Sequence, residues 1–413
     1  MGLPARPFNI TVVLTGSSET GGGFHQSVTN LRMLALSAPE HFRIQVLDVH
    51  GTFSDDIDEL VSTGALNRAD VLPTSFQLRT VNDRVVASPR WVYRVARFFL
   101  ALSGTTVGMS PAARYLDNSE TDLVYFLSPA PMAIELQQKP YVWTFWDIAH
   151  RDSPEFPEVR TSRKFEEREN FISLALTKAV LVVVDSAELV EKVRNIYGLG
   201  SEKFVTIPFT PAHTLASGAF EATNLPQEVR ALDAPYVFYP AQLWAHKNHA
   251  RIAEALFILK EQGHDFHAVF VGKDHGAGAS IRKRIEELGI GDRIHFLGYV
   301  GDEAIPALYA HAAALVMASY FGPTNIPPLE AFAMRTPVVA SELHKAQLGK
   351  GAYYFDPDDP LDLARVILRS QEESSRVDLI KHGLKQLKEL RALTSQGETL
   401  LFDRLDRLSR RIS

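Results

Sequence analysis

The sequence contains no cysteine among its 413 residues. This absence excludes disulfide bonds and thiolate metal sites, and it favours the cytoplasm, where disulfides are rare. Long apolar runs are also missing, since the longest of them, such as 179–184, have only the length of a buried strand. We therefore predict a cytoplasmic protein without a membrane-spanning segment.

An excess of positive charge is missing as well. The formal net charge is -6, which argues against nucleic acid as the main partner. The histidine and carboxylate residues show no spacing typical of a metal site. We therefore expect no nucleic-acid partner, no bound metal and no cofactor.

What is present is the composition of a globular protein, with 46% hydrophobic and 22% charged residues. The length suits two doubly wound cores of about 200 residues each, with a cleft between them. The segment 208–235 contains prolines, a glycine and few periodic apolar positions, as linkers do. We place the boundary near Ser217, so the predicted domains are 1–216 and 217–394.

Strand and helix patterns alternate in both halves of the chain. Residues 8–15 read as a strand that leads through a glycine loop into a helix near Phe24. Between Tyr236 and Met317, strands and helices follow each other with short connections, which is typical of a parallel sheet wrapped by helices. We therefore predict an α/β fold with two Rossmann-like, doubly wound domains.

The stretch 321–341 reads as a Gly/Pro-rich turn, a short helix over 327–334 and a β-branched strand. The free N–H groups at the helix start carry partial positive charge that suits a phosphate. Glu330, one turn in, could accept hydrogen bonds from the paired hydroxyls of a sugar, and a nucleotide offers both groups. The alternative is that Glu330 only favours the helix dipole and that the prolines only fix the turn.

This stretch is similar to the donor-binding signature of the family-4 retaining glycosyltransferases, which share the two-domain GT-B fold. In that family two glutamates contact the donor, the first at the transferred sugar and the second at the nucleotide ribose. Glu330 matches the second glutamate, whereas Gly322 stands at the position of the first. The resemblance therefore implies that Thr324, Asn325 or the turn backbone up to Ile326 contacts the sugar.

Two loops resemble the family's phosphate-binding loops. Gly22 and Gly23 match a glycine pair beside the donor pyrophosphate and the acceptor, although a glycine run alone is more often a flexible turn. Lys247, in YPAQLWAHKNH, matches a phosphate-binding lysine, although in isolation it would be a surface lysine. Gln242 stands where relatives often have an arginine, and the turn ending at Val300 resembles the one whose backbone reads the base.

The loop after the predicted strand 141–146 lies where doubly wound domains carry their chemistry. Many relatives have His-Asp there, with the histidine close to the donor sugar, and this sequence has Trp146-Asp147 followed by His150. His150 could take the role of the missing histidine, or it could only hydrogen-bond the loop. The catalytic residues that the resemblance implies are Asp147, His150 and Lys247.

Two further features have competing interpretations. The Asp-x-Asp at 56–58 looks like the metal-binding motif of the other large glycosyltransferase fold, but acidic residues are expected in a first helical turn, and we assign it a structural role. The predicted helix 89–103 carries Arg90, Arg94 and Arg97 as a stripe among apolar residues. It is either a half-buried helix or a peripheral contact with the inner face of a membrane.

A capping box at Ser395 and Glu398 precedes an apolar stripe that ends at Ile412. In the GT-B fold a final helix crosses to the first domain, and we expect 395–413 to form that helix.

The resemblance implies a retaining hexosyltransferase that uses a nucleotide-diphosphate sugar and acts in bacterial-type surface polysaccharide assembly. Its acceptor would be a glycan, a lipid-linked molecule or a small molecule. The family's front-face displacement, in which a donor phosphate oxygen helps to deprotonate the acceptor, uses no protein nucleophile. It needs no metal if cations and helix N-termini are preorganised. The alternatives are a nucleotide-sugar epimerase on the same fold and a non-catalytic nucleotide-sugar-binding protein.

Overall fold

The computed structural model describes residues 6–16, 22–72, 109–211, 221–301, 303–322 and 324–412. The chain divides into two compact units, the first unit (Met1–Trp146, Glu169–Ile207 and Gln396–Ser413) and the second unit (Asp147–Arg168 and Pro208–Ser395). Residues 147–168, which the sequence analysis placed in the first domain, therefore cluster with the second unit. The predicted boundary at Ser217 and the predicted helix 89–103 lie outside the described residues.

Each unit contains a parallel sheet of six described strands. The first sheet has the order β2-β1-β3-β4-β5-β6 and consists of β1 (Phe8–Leu14), β2 (Phe42–Asp48), β3 (Leu123–Phe126), β4 (Tyr141–Phe145), β5 (Leu181–Val184) and β6 (Phe204–Thr206). The second has the order β12-β11-β10-β7-β8-β9 and consists of β7 (Tyr236–Pro240), β8 (His267–Val271), β9 (Ile294–Gly298), β10 (Ala314–Met317), β11 (Val338–Ser341) and β12 (Ala352–Phe355).

The strands alternate with α-helices along the chain. The described helices are α1 (Gly22–Ser37), α2 (Ser54–Ser62), α3 (Pro111–Asn118), α4 (Ala149–Asp152), α5 (Pro157–Arg160), α6 (Lys164–Lys178), α7 (Ala187–Tyr197), α8 (Gln227–Arg230), α9 (His249–Glu261), α10 (Gly278–Leu288), α11 (Ala304–His311), α12 (Ile326–Ala333), α13 (Lys345–Leu348), α14 (Pro360–Gln371) and α15 (Glu373–Ile412).

The strand sequences explain this architecture. Every residue of β1, FNITVVL, and of β4, YVWTF, is buried, and β-branched and aromatic side chains suit a sheet that is covered on both faces. Such a sheet needs helices on both sides, which the alternating order of elements supplies. The predicted α/β fold with two doubly wound domains is confirmed.

Each sheet has one point at which the strand order reverses. It lies between β1 and β3 in the first unit and between β7 and β10 in the second. Doubly wound sheets bind ligands in the crevice beyond the carboxyl ends of the strands at such a point. The loop after β7 contains Lys247, and the loop after β10 contains the turn residues 319–322, 324 and 325.

The last helix is longer than the sequence analysis predicted. α15 runs without interruption, so the capping box at Ser395 does not begin a helix, because Leu379 and Leu387 already bury an apolar stripe before it. Its residues from Gln396 belong to the first unit, whose core includes the fully buried Leu401 and Leu405. Within the described ranges, α15 and the other helices do not combine the length and the apolar character needed to cross a bilayer.

Candidate active site

The loop after β7 carries Lys247 to the carboxyl end of the second sheet. Its start packs tightly against Gly272, where a Cβ atom would clash with the Ala241 carbonyl. A 3₁₀ helix, Ala245–Lys247, then leads into α9 through Asn248, whose φ of +58° is left-handed. This backbone geometry fixes the position from which the Lys247 side chain extends.

Lys247 contacts the loop that follows β10. Its Nζ lies 3.5 Å from the hydroxyl of Ser319, to which it donates. The half-buried side chain has lost part of its contact with water, which lowers its pKa to about 8, while the nearby charge of Asp147 acts in the opposite direction. The amine is therefore still mostly protonated at pH 7 and can pair with an anion.

Ser319 begins the turn that leads into α12. The residue is fully buried, its hydroxyl donates to the Phe321 carbonyl over 2.8 Å, and its carbonyl accepts a 3.1 Å bond from His344 Nε2. Burial lowers the pKa of His344 to about 4, so its ring is neutral at pH 7. Gly322 follows at φ +104°, where a glutamate side chain would be strained. The local backbone therefore accounts for glycine at this position.

Asn325 and Gln347 close the same turn. The Asn325 side-chain amide donates to the Gly322 carbonyl over 3.0 Å. The Gln347 amide bonds both to the backbone N–H and to the carbonyl of Asn325, at 2.9 and 2.7 Å. Asn325 thus holds the turn in shape, and the sugar contact that we predict for Asn325 or the neighbouring half-buried Thr324 stays a prediction.

The helix α12 starts with Ile326 and has proline in its first turn. Its first N–H groups have no partners within the helix, so this end carries partial positive charge. Glu330 lies one turn further on, where its Oε2 accepts a 2.7 Å hydrogen bond from the buried hydroxyl of Tyr309. Tyr309 thereby fixes the orientation of the carboxylate.

Residues 147–168 pack against the loop that carries Lys247. Glu158 accepts hydrogen bonds from the His246 backbone N–H, over 3.0 Å, and from Nδ1 of the same residue. Burial lowers the pKa of His246, and Lys247 lowers it further, so the ring is neutral. The ring of Phe321 stacks on His246 with 3.8 Å between centroids, and Phe156 contacts both rings edge-on. Glu158 and Phe156 therefore hold the loop that carries Lys247, and Phe156 also contacts the turn that begins at Ser319.

The two candidate catalytic residues of this segment differ in their surroundings. Asp147 is half-buried, accepts a 2.8 Å bond from the Ala149 N–H and pairs with Arg168. His150 is fully buried, with its ring edge-on to Phe165 at 5.3 Å between centroids. A side chain without exposed surface cannot reach a substrate from this position. The geometry therefore does not support a catalytic role for His150, and it favours the structural alternative.

The remaining predicted site residues are divided between the two units. Gly22 and Gly23 open α1 in the first unit, where a Cβ atom on Gly23 would lie 2.9 Å from Cζ3 of Trp146. In the second unit, Gln242 accepts a 2.9 Å bond from the indole N–H of Trp244, and Val300 is half-buried against the core.

Across the part of the chain that the structure describes, His, Asp and Glu side chains do not gather in groups of three or more that could hold a metal ion. The acidic run 56–58 belongs to the N-terminal half of α2, where Asp58 pairs with Arg68 at 2.5 Å.

Sequence reasoning missed three residues of this cluster. Ser319 follows β10 by two positions, so the rule that ligands bind beyond carboxyl ends could have identified it. Tyr309 reaches Glu330 across 21 residues and Glu158 reaches His246 across 88, and the sequence carries no indication of either contact.

Part of the sequence that forms this site is similar to a known protein family. Residues 221–386 match the family model described as Glycosyl transferases group 1. These residues make up most of the second unit, which is therefore similar to the group 1 glycosyltransferases. It contains Lys247, the turn 319–325 and Glu330, and the predicted resemblance is confirmed at this level.

Individual proteins with similar sequences include O-antigen mannosyltransferases. The chain is 26% identical over 262 residues to the O-antigen chain mannosyltransferase B of Escherichia coli, covering 60% of this chain and 66% of the relative. It is 32% identical over 119 residues to the O-antigen chain mannosyltransferase RfbU of Salmonella typhimurium, covering 28% and 33%. The aligned parts thus span less than two thirds of the relatives' lengths.

The solved structures extend the likeness to the whole chain. The structure of Anabaena HepE in complex with UDP and glucose has a TM-score of 0.67 and 18% identity, and the match covers 95% of this chain and 98% of HepE. Together with the two six-stranded parallel sheets, this likeness shows that the chain has the GT-B fold.

Proposed function

We propose that this glycosyltransferase is a retaining hexosyltransferase that uses a nucleotide-diphosphate sugar in surface polysaccharide assembly. The acceptor would be a glycan, a lipid-linked molecule or a small molecule. The names of the O-antigen mannosyltransferase relatives support this role, and so does the UDP and glucose bound by the structural neighbour.

One observation carries the proposal. In the second unit, the protonated amine of Lys247 contacts Ser319, which begins the turn leading to the positive end of α12. A cation and a helix N-terminus that are fixed in advance stabilise negative charge without reorganising. This arrangement suits the charge that grows on a leaving diphosphate.

The neighbouring carboxylates would have separate tasks. Glu330, held by Tyr309, would accept hydrogen bonds from the ribose hydroxyls. Asp147 favours the protonated form of Lys247 and would thereby keep the site cationic near neutral pH. His150 has a structural role in this proposal, because it is fully buried and its ring packs edge-on against Phe165.

Thermal shift tests the donor site. We would measure the melting temperature with uridine, guanosine, adenosine and thymidine diphosphates and with their hexose esters, because a ligand that binds the native state raises it by mass action. At least one nucleoside diphosphate and its hexose ester should raise the melting temperature, and Lys247→Ala should abolish that increase. A flat response across the panel would contradict the proposal.

Turnover assays with the identified donor test the reaction. We expect the anomeric configuration of the donor to be kept in the product, and we expect transfer to continue in EDTA. An isomerised sugar formed from donor alone would indicate the epimerase instead. Loss of transfer in EDTA, restored by Mg²⁺ or Mn²⁺, would contradict metal independence.

Cytoplasmic location and peripheral membrane contact through 89–103 stay predictions. Each arginine near an anionic surface contributes about 1 kcal/mol. Replacing Arg90, Arg94 and Arg97 by Gln should therefore release the protein from anionic vesicles in a co-sedimentation assay at low salt. If the unchanged protein shows no salt-sensitive binding, the membrane contact is wrong.

A further inference from the structure

The first unit contains a cavity of about 730 Å³ at the carboxyl ends of its strands. It lies where the strand order reverses, with Thr15 directly after β1 and Ser128 two residues after β3 among its lining residues. A cavity of this size and position is suited to a small ligand. All of the lining residues that the structure describes belong to the first unit.

Hydroxyl groups form one part of the lining, and they belong to Thr15, Ser27, Ser110 and Ser128. The hydroxyls of Thr15 and Ser128 are 2.9 Å apart, and that of Ser27 donates to the Gly23 carbonyl over 3.0 Å. A hydroxyl that donates one hydrogen bond still has acceptor lone pairs. This wall can therefore bind the hydroxyls of a ligand.

Glu135 adds a negative charge to the cavity. The residue is half-buried, and its Oε2 accepts a 2.7 Å bond from the Ser110 N–H. That bond holds the carboxylate at the wall, while its other lone pairs can accept bonds from ligand hydroxyls. A phosphate or carboxylate on the ligand would be repelled there, more strongly than in bulk water.

Trp146 adds an apolar surface at the end of β4. Gly23 makes room for its indole, because a Cβ atom there would lie 2.9 Å from Cζ3 and 3.0 Å from Cη2. A wide aromatic ring beside hydroxyls and a carboxylate matches a pyranose, which has an apolar C–H face and hydroxyls around its edge.

We propose that this cavity binds the terminal sugar of the acceptor as a neutral hexopyranoside, with the ring on Trp146 and hydroxyls on Glu135. Sugars that carry a phosphate or a carboxylate are disfavoured. The role as acceptor rests on the proposed function, whereas the binding of a neutral sugar does not.

Saturation-transfer NMR on the full chain, without donor, tests the charge preference. The probes are methyl α-D-mannopyranoside and its 6-phosphate. We expect the neutral probe to bind at least about tenfold more tightly, since a nearby like charge costs more than 1.4 kcal/mol. Glu135→Gln keeps an acceptor for the Ser110 N–H but removes the charge, so it should abolish most of this difference.

Titration of the neutral probe tests the aromatic surface. Trp146→Ala should weaken its binding by about fivefold to tenfold. The matched control is Trp143→Phe, because Trp143 is fully buried in the same strand and should not affect binding. Gly23→Ala should displace the indole and weaken binding to a similar degree, with little further loss when Trp146 is already alanine.

Two results would overturn the inference. One is equal or tighter binding of the 6-phosphate by the unchanged protein, and the other is unchanged affinity in Trp146→Ala. The melting temperature with nucleoside diphosphates distinguishes this failure from that of the proposed function. If the neutral probe binds but no nucleoside diphosphate does, the proposed transferase reaction fails and this site stands.

Discussion

The two sheets have similar topologies and opposite chemistry at their carboxyl ends. Beyond β7 and β10, the second unit presents the Lys247 amine and the positive end of α12. Beyond β1 and β3, the first unit presents hydroxyls, with the Glu135 carboxylate and the Trp146 indole nearby. The reversal of strand order decides where a ligand can bind, and the loop side chains decide its charge.

Hydrogen bonds constrain the loops at this end of the second unit. Ser319, Asn325 and Gln347 hold the turn by hydrogen bonds, and Glu158 holds the preceding loop through His246. An anion site gains from such rigidity, because preorganised donors do not have to reorganise when charge develops.

The largest effect is expected for Lys247→Ala and Glu330→Ala. Loss of one charged hydrogen bond to a ligand costs about 1.5 to 3 kcal/mol, so nucleoside diphosphate affinity should fall about tenfold to a hundredfold or more in each. Calorimetric titration measures this, with the exposed Lys283→Ala as control. Affinity within twofold of the parent in either variant would remove that residue from the donor site.

Replacement of His150 by Ala should affect folding more than turnover. Removal of a fully buried ring leaves a cavity, and we expect a loss of about 2 kcal/mol in the free energy of unfolding. Urea unfolding and kcat below the transition separate the two effects. A kcat that falls at least tenfold with unchanged stability would restore the catalytic role predicted from the sequence.

The pH dependence of donor binding should show the lowered pKa of Lys247. Above about pH 8 the free amine loses its proton, so affinity for a nucleoside diphosphate should fall by up to tenfold per pH unit. Lys247→Met serves as control, because it keeps any titration of the ligand but not that of the amine. Parallel slopes in the two proteins would contradict the assignment.

The lowered pKa of Lys247 also determines the direction in which the free energy of unfolding changes with pH. Between about pH 8 and the ordinary Lys pKa of 10.5, the unfolded chain binds more protons than the folded one, so the apoprotein should become more stable relative to Lys247→Met as the pH rises.

Tyr309→Phe should weaken donor binding about fivefold, since the loss of one hydrogen bond that orients Glu330 is worth about 1 kcal/mol. The matched control is Tyr236→Phe, which removes an equally buried hydroxyl bonded to the Leu308 carbonyl. Measurement of KM and kcat should show the effect mainly in the donor KM. Equal losses of donor affinity in the two variants would show that the Tyr309 hydroxyl contributes to packing and does not orient Glu330.

The smallest effect concerns the end of α12. Arg335 has a left-handed φ of +57°, a conformation that glycine adopts without strain, so Arg335→Gly should raise the free energy of unfolding by about 0.5 to 1 kcal/mol. Gly289→Ala, at a φ of +62° after α10, should lower it by a similar amount. Denaturant titration measures both, and the same sign for both would contradict the backbone argument.

The sequence by itself determined the architecture and the elements that carry the site. Buried β-branched strands such as β1, alternation with helices, and the turn before α12 are local patterns, so they can be read without the fold. Lys247 and Glu330 were predicted less directly, because the spacing alone also allowed a surface lysine and a carboxylate that only favours the helix dipole, and the resemblance to the glycosyltransferases favoured the donor-site interpretation.

Only the tertiary structure decided which side chains meet. Glu158 and Tyr309 act through contacts across long stretches of chain, and His150 is fully buried with its ring edge-on to Phe165, a contact that its own loop sequence does not indicate. The segment 147–168 also clusters with the second unit although it follows a strand of the first. Such contacts depend on packing between elements, which periodicity and spacing do not encode.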